Sequence, residues 1–186
     1  CLTTTTSRDA RRRSPGDVVA GKGLRSFPQS PHGFPRFAAT ARGANSREMF
    51  EVRIHGRGGQ GVVTAAEMLS LAAFGEGRHA QAFPSFGSER NGAPVVSFCR
   101  IDDRPIRLRE PVAEPDALLI QDPTLLHQVD VFAGLKPEGY LLVNTARSFG
   151  ELGLAEFVTR LRPERLLTVP ATDLARRHVG RPVANA

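Results

Sequence analysis

The sequence predicts an α/β fold: a Rossmann-like, three-layer domain whose mostly parallel sheet is covered by helices. Three observations predict it. From Phe50 onward, short apolar runs of strand length alternate with stretches of helical spacing. A glycine-rich turn, His55-Gly56-Arg57-Gly58-Gly59-Gln60-Gly61, stands between the first such run and the first helix. Asp116 to Ile120 is a continuous apolar strand of the kind that a parallel sheet buries on both faces.

The elements follow in order. Phe50-Glu51-Val52-Arg53-Ile54 alternates as a strand. After the glycine turn, Val62, Ala65, Ala66, Leu69, Ala72 and Ala73 fall at helical spacing, which predicts a helix over 60–75 that Gly75 and Gly77 end. His79 to Phe83 reads as a second strand. Pro84 to Pro94 reads as a loop, and Val95 to Ile101 as a strong strand. Asp102-Asp103-Arg104 is a turn, with Ile106 to Leu108 as the returning arm of a hairpin insertion. Asp122-Pro123 opens a helix, Asp at the cap and Pro at the first helical position, running through Leu125, Leu126, Val129 and Phe132. Gly139 to Val143 is the next strand, 151–161 a helix, Leu166 to Val169 a strand, and a last helix opens near Thr172-Asp173. The chain stops at Arg181-Pro182-Val183-Ala184-Asn185-Ala186 with no closing element, which predicts a truncated C-terminus for the 49–186 domain.

Residues 1–48 carry no hydrophobic period and are rich in Thr, Arg, Pro, Ser and Gly, the composition of a disordered tail. Arg-rich and acid-poor, the tail is transit-like. The other reading is non-native upstream sequence joined to a start at Met49, because the fold begins directly after it. Nine of the 25 basic and three of the 19 acidic residues lie in this tail, so it holds the whole formal charge of +6 and leaves 16 of each sign in 49–186. A folded part without net charge argues against a nucleic-acid partner. No run of 18 apolar residues exists, so no span of a membrane is predicted. Cys1 and Cys99 are too few and too far apart for a disulfide framework or an iron–sulfur ligand set, which fits a cytoplasmic location.

Gly56-x-Gly58-x-x-Gly61 has the context that gives such a pattern meaning: it follows a strand and opens a helix. Glycine permits the tight turn and the close approach of a backbone or ligand, and the helix start favours an anion. Gly59 adds a fourth glycine and Arg57 a cation at the mouth. A dinucleotide site also needs an acid about 20 positions on to hold the ribose. His79-Ala80-Gln81-Ala82-Phe83-Pro84 contains none. No Gly-Lys-Ser/Thr follows, so the turn is not a P-loop. Two readings stay open: an anion site of another kind, and a close strand–helix turn serving packing or a subunit interface.

The loop Phe83 to Pro94 holds two aromatics, a Glu-Arg pair and two glycines, and its position places it at the same sheet edge. Ser88 and Arg90 are candidates for a phosphate or carboxylate; the alternative is that Phe83 and Phe86 fill core and Arg90 pairs with Glu89 or a partner chain. His55 reads as structural rather than acid–base, and Asp122 as a helix cap. Asn144 and Thr145 end a strand on the ligand edge, where turn formation and contact with a ligand or partner are both open. No catalytic residue set and no metal site can be assigned.

Gly56-Arg57-Gly58-Gly59-Gln60-Gly61-Val62-Val63-Thr64-Ala65-Ala66-Glu67 resembles the opening motif of gamma subunits of pyruvate and related 2-oxoacid:ferredoxin oxidoreductases. Phe83 to Val95 resembles their second signature, and Asp122-Pro123-Thr124-Leu125-Leu126 and Leu142-Val143-Asn144-Thr145 are similar to later blocks. The resemblance covers 49–186 and implies a share in the oxidative decarboxylation of a 2-oxoacid, with coenzyme A (CoA) taking the acyl group and ferredoxin the electrons. It implies thiamine diphosphate, Mg2+ and [4Fe–4S] clusters held by the complex and none held by this chain alone. The partners implied are alpha, beta and delta type subunits. The chain's own tasks would be assembly and covering the CoA/thiamine site through Gly56, Arg57, Gly58, Gly59, Gln60, Gly61, Ser88 and Arg90. The Ser-Phe-Gly-x-Glu-Arg-x-Gly-Ala-Pro form is nearer to pyruvate-type and branched-chain-type subunits than to 2-oxoglutarate-type ones. Two alternatives remain: a stand-alone nucleotide-binding Rossmann oxidoreductase, and a purely structural assembly module.

Overall fold

A computed structural model of the chain describes residues 49–85 and 92–184. Six strands form one sheet: β1 (Phe50–Arg57), β2 (His79–Pro84), β3 (Pro94–Asp102), β4 (Ala117–Ile120), β5 (Tyr140–Asn144) and β6 (Leu166–Val169). Their order is β2-β3-β1-β4-β5-β6. The pairs β1–β4, β4–β5 and β5–β6 are parallel. The pairs β2–β3 and β1–β3 are antiparallel, so β3 alone of the six runs against the rest. The expected mostly parallel α/β sheet is therefore present. Helix α1 (Val62–Gly75) follows β1, and α2 (Ala155–Val158) and α3 (Ala171–His178) lie in the second half.

The pleat divides the core in two. Val52 and Ile54 of β1 share a face with Cys99 of β3 and pack under Val62 and Ala66 of α1. Leu118 and Ile120 of β4 and Leu141 and Val143 of β5 point to the opposite face, where Leu125, Val131 and Leu161 cover them. Cover on the α1 face thins beyond β4. Leu167 of β6 is half exposed, and Met68, Leu71 and Phe74 form an exposed apolar stripe along α1. Among the described residues no helix is long and apolar enough to cross a membrane.

Four expectations are corrected. The hairpin insertion is β2–β3, not β3 with Ile106–Leu108, which forms no strand. Both edges of β3 are already taken, by β2 and by β1, so no ladder is left for a returning arm. Strand β1 extends to Arg57 instead of ending at Ile54, because Gly56 and Arg57 continue to pair with Val95 and Pro94. The helix expected from Asp122 to Phe132 is a 3₁₀ turn, Pro123–His127, followed by irregular chain. Arg53 holds the chain beyond that turn. The guanidinium donates to the carbonyls of Val131 (3.1 Å) and Ala133 from one side, and Val112 (3.3 Å) and Ala113 (3.4 Å) from the other. Before the Val131 carbonyl, Leu125 and Gln128 N–H bond three residues back and Val131 N–H bonds the Val129 carbonyl (2.9 Å), so no i→i+4 ladder runs through to Phe132. The two segments cross so tightly that a Cβ at Gly134 would lie 2.0 Å from the Ala113 carbonyl oxygen, and Gly134 has φ +71°. The helix expected over 151–161 shrinks to α2 between turns.

Candidate functional site

The carboxyl ends of β1 and β4 lie side by side and their chains depart to opposite faces, α1 above and the 3₁₀ turn below. This is the switch point at which doubly wound sheets hold ligands. The glycine turn sits on it. Gly59 (φ 90°) and Gly61 (φ 74°) adopt left-handed conformations, and Gly61 caps α1 with its backbone alone. No acid stands in the first turn of α1, so its positive end is not neutralised by its own residues. Gly56 plays a different part. It is still in β1, and a Cβ there would meet Val62 Cγ2 at 2.6 Å and Gln121 Cβ at 3.2 Å. Its missing side chain is what lets α1 lie this close to the sheet.

The turn is tied to its neighbours on two sides. Gly58 N–H donates to the Ala93 carbonyl (2.9 Å), and Gly92 N–H donates to the Gly58 carbonyl (3.2 Å). The end of the second signature loop is therefore bonded to the turn. Across the switch point, Arg57 Nε donates to Asp122 Oδ2 (3.1 Å). Its Nη2 reaches Thr124 Oγ1 and Gln128 Oε1 (both 2.8 Å), and its Nη1 reaches the Gly92 carbonyl (2.8 Å). Gln60 closes the ring: its Oε1 accepts from Arg57 N–H and its Nε2 donates to Asp122 Oδ2 (both 2.8 Å).

Asp122 is the hub. Oδ1 accepts from the Thr124 N–H (2.9 Å) and hydroxyl (2.6 Å), while Oδ2 takes Arg57 and Gln60. Burial opposes its ionisation. The hydrogen bonds from Thr124 and Gln60 and the charge of Arg57 outweigh that and hold the carboxyl below its ordinary range. Asp122 thus caps, as its place before Pro123 predicted, and it also carries the site's ion pair.

Two buried polar side chains lie under this edge, on the β1 face opposite α1. Arg53 is 7% exposed; burial pulls its guanidinium below the ordinary value, opposed by Asp130. His55, also 7% exposed, is pushed down to about 4 by burial and then by the Arg53 charge, so its imidazole is neutral at pH 7. Its Nε2 has no hydrogen-bond partner among the described residues. Farther along, Asn144 is a clamp. Its Nδ2 donates to the Gln121 carbonyl (2.8 Å) and to Thr172 Oγ1 (2.7 Å), and its Oδ1 accepts from Thr172 N–H (3.1 Å). That holds the end of β5 against β4 and α3.

Of the residues predicted for the site, Gly56 to Gly61 are gathered on this edge with Asp122. Ser88 and Arg90 lie outside the described residues. The sequence reading treated Arg57 as a cation open at the mouth; the structure gives it four acceptors of its own chain. Gln60, Thr124 and Gln128 were not seen as one network. Their only signal was polar side chains flanking two turns that the fold brings together. Arg53 was hidden by a strand alternation that reads equally well as solvent-facing.

The arrangement differs from a dinucleotide site in two ways. The ends of β1 and β4 are bridged by the Arg57–Asp122 network. And the strand after α1 does not pair with β1: β3 lies between them. The end of β2, where a ribose acid would stand, is displaced by two strand spacings, roughly 10 Å.

Residues 51–186 match the family of pyruvate ferredoxin/flavodoxin oxidoreductases. The common gamma subunit of the pyruvate/ketoisovalerate oxidoreductases of Pyrococcus furiosus is 52% identical over 137 residues, which are 74% of this chain and 72% of that protein. The pyruvate synthase subunit PorC of Methanosarcina barkeri is 52% identical over 137 residues, with the same shares. Among solved structures, the pyruvate oxidoreductase subunit PORC of Thermotoga maritima superposes with a TM-score of 0.60 at 37% identity, over 74% of this chain and 70% of that one. The chain belongs to the pyruvate ferredoxin/flavodoxin oxidoreductase family and is of the gamma-subunit type.

Proposed function

We propose that this chain is the gamma subunit of a cytoplasmic pyruvate:ferredoxin oxidoreductase and that its glycine-turn edge covers the CoA/thiamine site of the assembled complex. In the reaction a 2-oxoacid is decarboxylated oxidatively, CoA takes the acyl group and ferredoxin the electrons. The observation that carries the reading is the Arg57 network. It fuses the glycine turn, the end of the second signature loop at Gly92 and the Asp122 turn into one preorganised edge. Such an edge is suited to docking and to closing a site. The two glycines with positive φ let a partner's backbone or ligand approach closely, and the unneutralised start of α1 favours an anionic group there.

In this reading thiamine diphosphate, Mg2+ and the [4Fe–4S] clusters are held by alpha, beta and delta type subunits. The described residues do not fit a cluster site. They bring no three His, Cys, Asp or Glu side chains together, and burial in β3 pushes the Cys99 thiol up to about 11. Gly58, Gly59, Gly61, Ser88 and Arg90 are the proposed contacts to CoA or to the thiamine-binding subunit, with Arg57, Gln60 and Gly56 holding the edge in shape. The test is the complex reconstituted with Arg57→Ala and, separately, Arg90→Ala. We expect weaker subunit assembly for the first and a raised KM for CoA for the second. Unchanged assembly together with unchanged CoA kinetics in both complexes refutes the role. Loss of assembly alone, with normal CoA kinetics in whatever complex forms, leaves a structural module.

A further inference from the structure

We propose that the cleft between the 3₁₀ turn Pro123–His127 and the segment Thr145–Leu152 is a subsite for the phosphate of a small molecule, built from this chain alone. The cleft lies at the carboxyl ends of β4 and β5, on the face opposite α1, and has a volume of about 480 Å³. That is the size of a small-molecule site rather than of a crevice between side chains.

Pro123 and Leu152 give the cleft apolar walls. Thr124, His127, Gln128, Thr145, Arg147 and Glu151 supply its polar walls. Gln128 spends its Oε1 on Arg57 Nη2, which leaves its amide N–H groups for the cleft. Thr145 Oγ1 accepts from the Arg147 N–H (3.1 Å), which leaves the hydroxyl proton to donate. The Arg147 guanidinium makes no salt bridge within 4 Å of a described carboxylate, and its charge reaches Glu151 only at longer range. The one acid in the wall is already committed: Glu151 Oε2 accepts from the Ser148 N–H (2.8 Å) and hydroxyl (2.7 Å). Those two bonds, and after them the charge of Arg147, hold its carboxyl below the ordinary range.

The Gln128 amide and the Thr145 hydroxyl beside the Arg147 cation, with the single carboxylate turned to a serine, match an anion with several acceptor oxygens. A phosphate offers three such oxygens diverging from one centre, which suits donors arriving from two chain segments better than a planar carboxylate does. Gln128 also joins this cleft to the Arg57 network, so an anion held here would bear on the same edge as the glycine turn.

The experiment is calorimetric titration of the full chain with inorganic pyrophosphate, and in parallel with succinate. Arg147→Gln and Arg104→Gln are compared with the unaltered chain; Arg104 is exposed on the turn after β3 and away from the cleft. Saturable pyrophosphate binding, weakened about tenfold by Arg147→Gln and unmoved by Arg104→Gln, is the expected result. Thermal melts of both variants matching the unaltered chain exclude misfolding as the cause. No saturable binding, or an equal loss in both variants, overturns the site. Succinate binding as tightly as pyrophosphate overturns the phosphate assignment.

Discussion

Gly56→Ala isolates the contact on which the glycine-turn edge rests. The added Cβ would stand 2.6 Å from Val62 Cγ2 and 3.2 Å from both Gln121 Cβ and Oε1. Carbon atoms pack best at about 3.5–4.0 Å, so the first contact is roughly 1 Å too short. Val62 is β-branched, 2% exposed and fixed in the first turn of α1, and it cannot swing aside. The helix start must move away from β1. Overpacking of this kind costs about 1–3 kcal/mol, which lowers the Tm of a chain this size by about 4–10 °C. Gly75→Ala is the control. It sits at the other end of the same helix, and nothing lies within 4 Å of its Cβ. Losing a glycine from an open helical position stabilises by about 0.5–1 kcal/mol, so its melt should rise. The assay is thermal unfolding by circular dichroism, extended to Val62→Ala and the double variant. If the clash is the cause, Val62→Ala relieves part of the cost of Gly56→Ala, a coupling of about 1–2 kcal/mol. A Gly56→Ala melt within 1 °C of the unaltered chain, or strictly additive losses, refutes the reasoning.

Two further outcomes follow from the buried pair on β1. Arg53→Met keeps most of the side-chain volume but removes the donors shared by the carbonyls of Val112, Ala113, Val131 and Ala133. Urea unfolding should show a loss of about 2–4 kcal/mol, and a change below 0.5 kcal/mol would show that the two crossing segments do not depend on it. His55 has its folded pKa depressed to about 4 from 6.5, so between those values the unfolded chain binds the extra proton. Its contribution is present in full above about pH 6.5 and is lost as the pH falls toward 4, to a total of about 3 kcal/mol. Stability measured across that window should slope for the unaltered chain and flatten in His55→Gln; equal slopes in the two would place the imidazole outside the low-dielectric core.

What the sequence made legible was periodic or local. The alternation from Phe50 and the apolar run from Asp116 gave β1 and β4. The helical spacing of Val62 to Ala73 gave α1, which begins and ends within two residues of the expectation. Asp122 before Pro123 gave a capped turn, because capping is decided by adjacent residues. What stayed hidden was decided at long range. The chain after the Asp122 turn is held by Arg53, 78 residues from Val131, a contact that no local propensity encodes. The hairpin was misplaced because Ile106 to Leu108 has strand-like composition, while the available edge of β3 had been taken by β2. The same limit applied at the site. Gly56 to Gly61 were found by their pattern, but Arg57's acceptors lie 35 to 71 residues away.

That last separation changes what a glycine pattern means here. In a dinucleotide fold the turn leaves a crevice between two strand ends, and the second strand brings an acid to its rim. This chain keeps the turn and reverses both consequences. β3 is interposed, which moves the second strand's end out of reach, and Arg57, Gln60 and Asp122 bridge the two strand ends. The glycines then serve two separable purposes. Gly56 lets α1 close on the sheet, while Gly59 and Gly61 carry the backbone through conformations that present the turn outward. An edge held this firmly by its own side chains is poorly suited to wrapping a nucleotide and well suited to meeting a surface that another subunit provides. The polar cleft beneath it, entered past Gln128, is where the same edge retains donors that its own chain has not used.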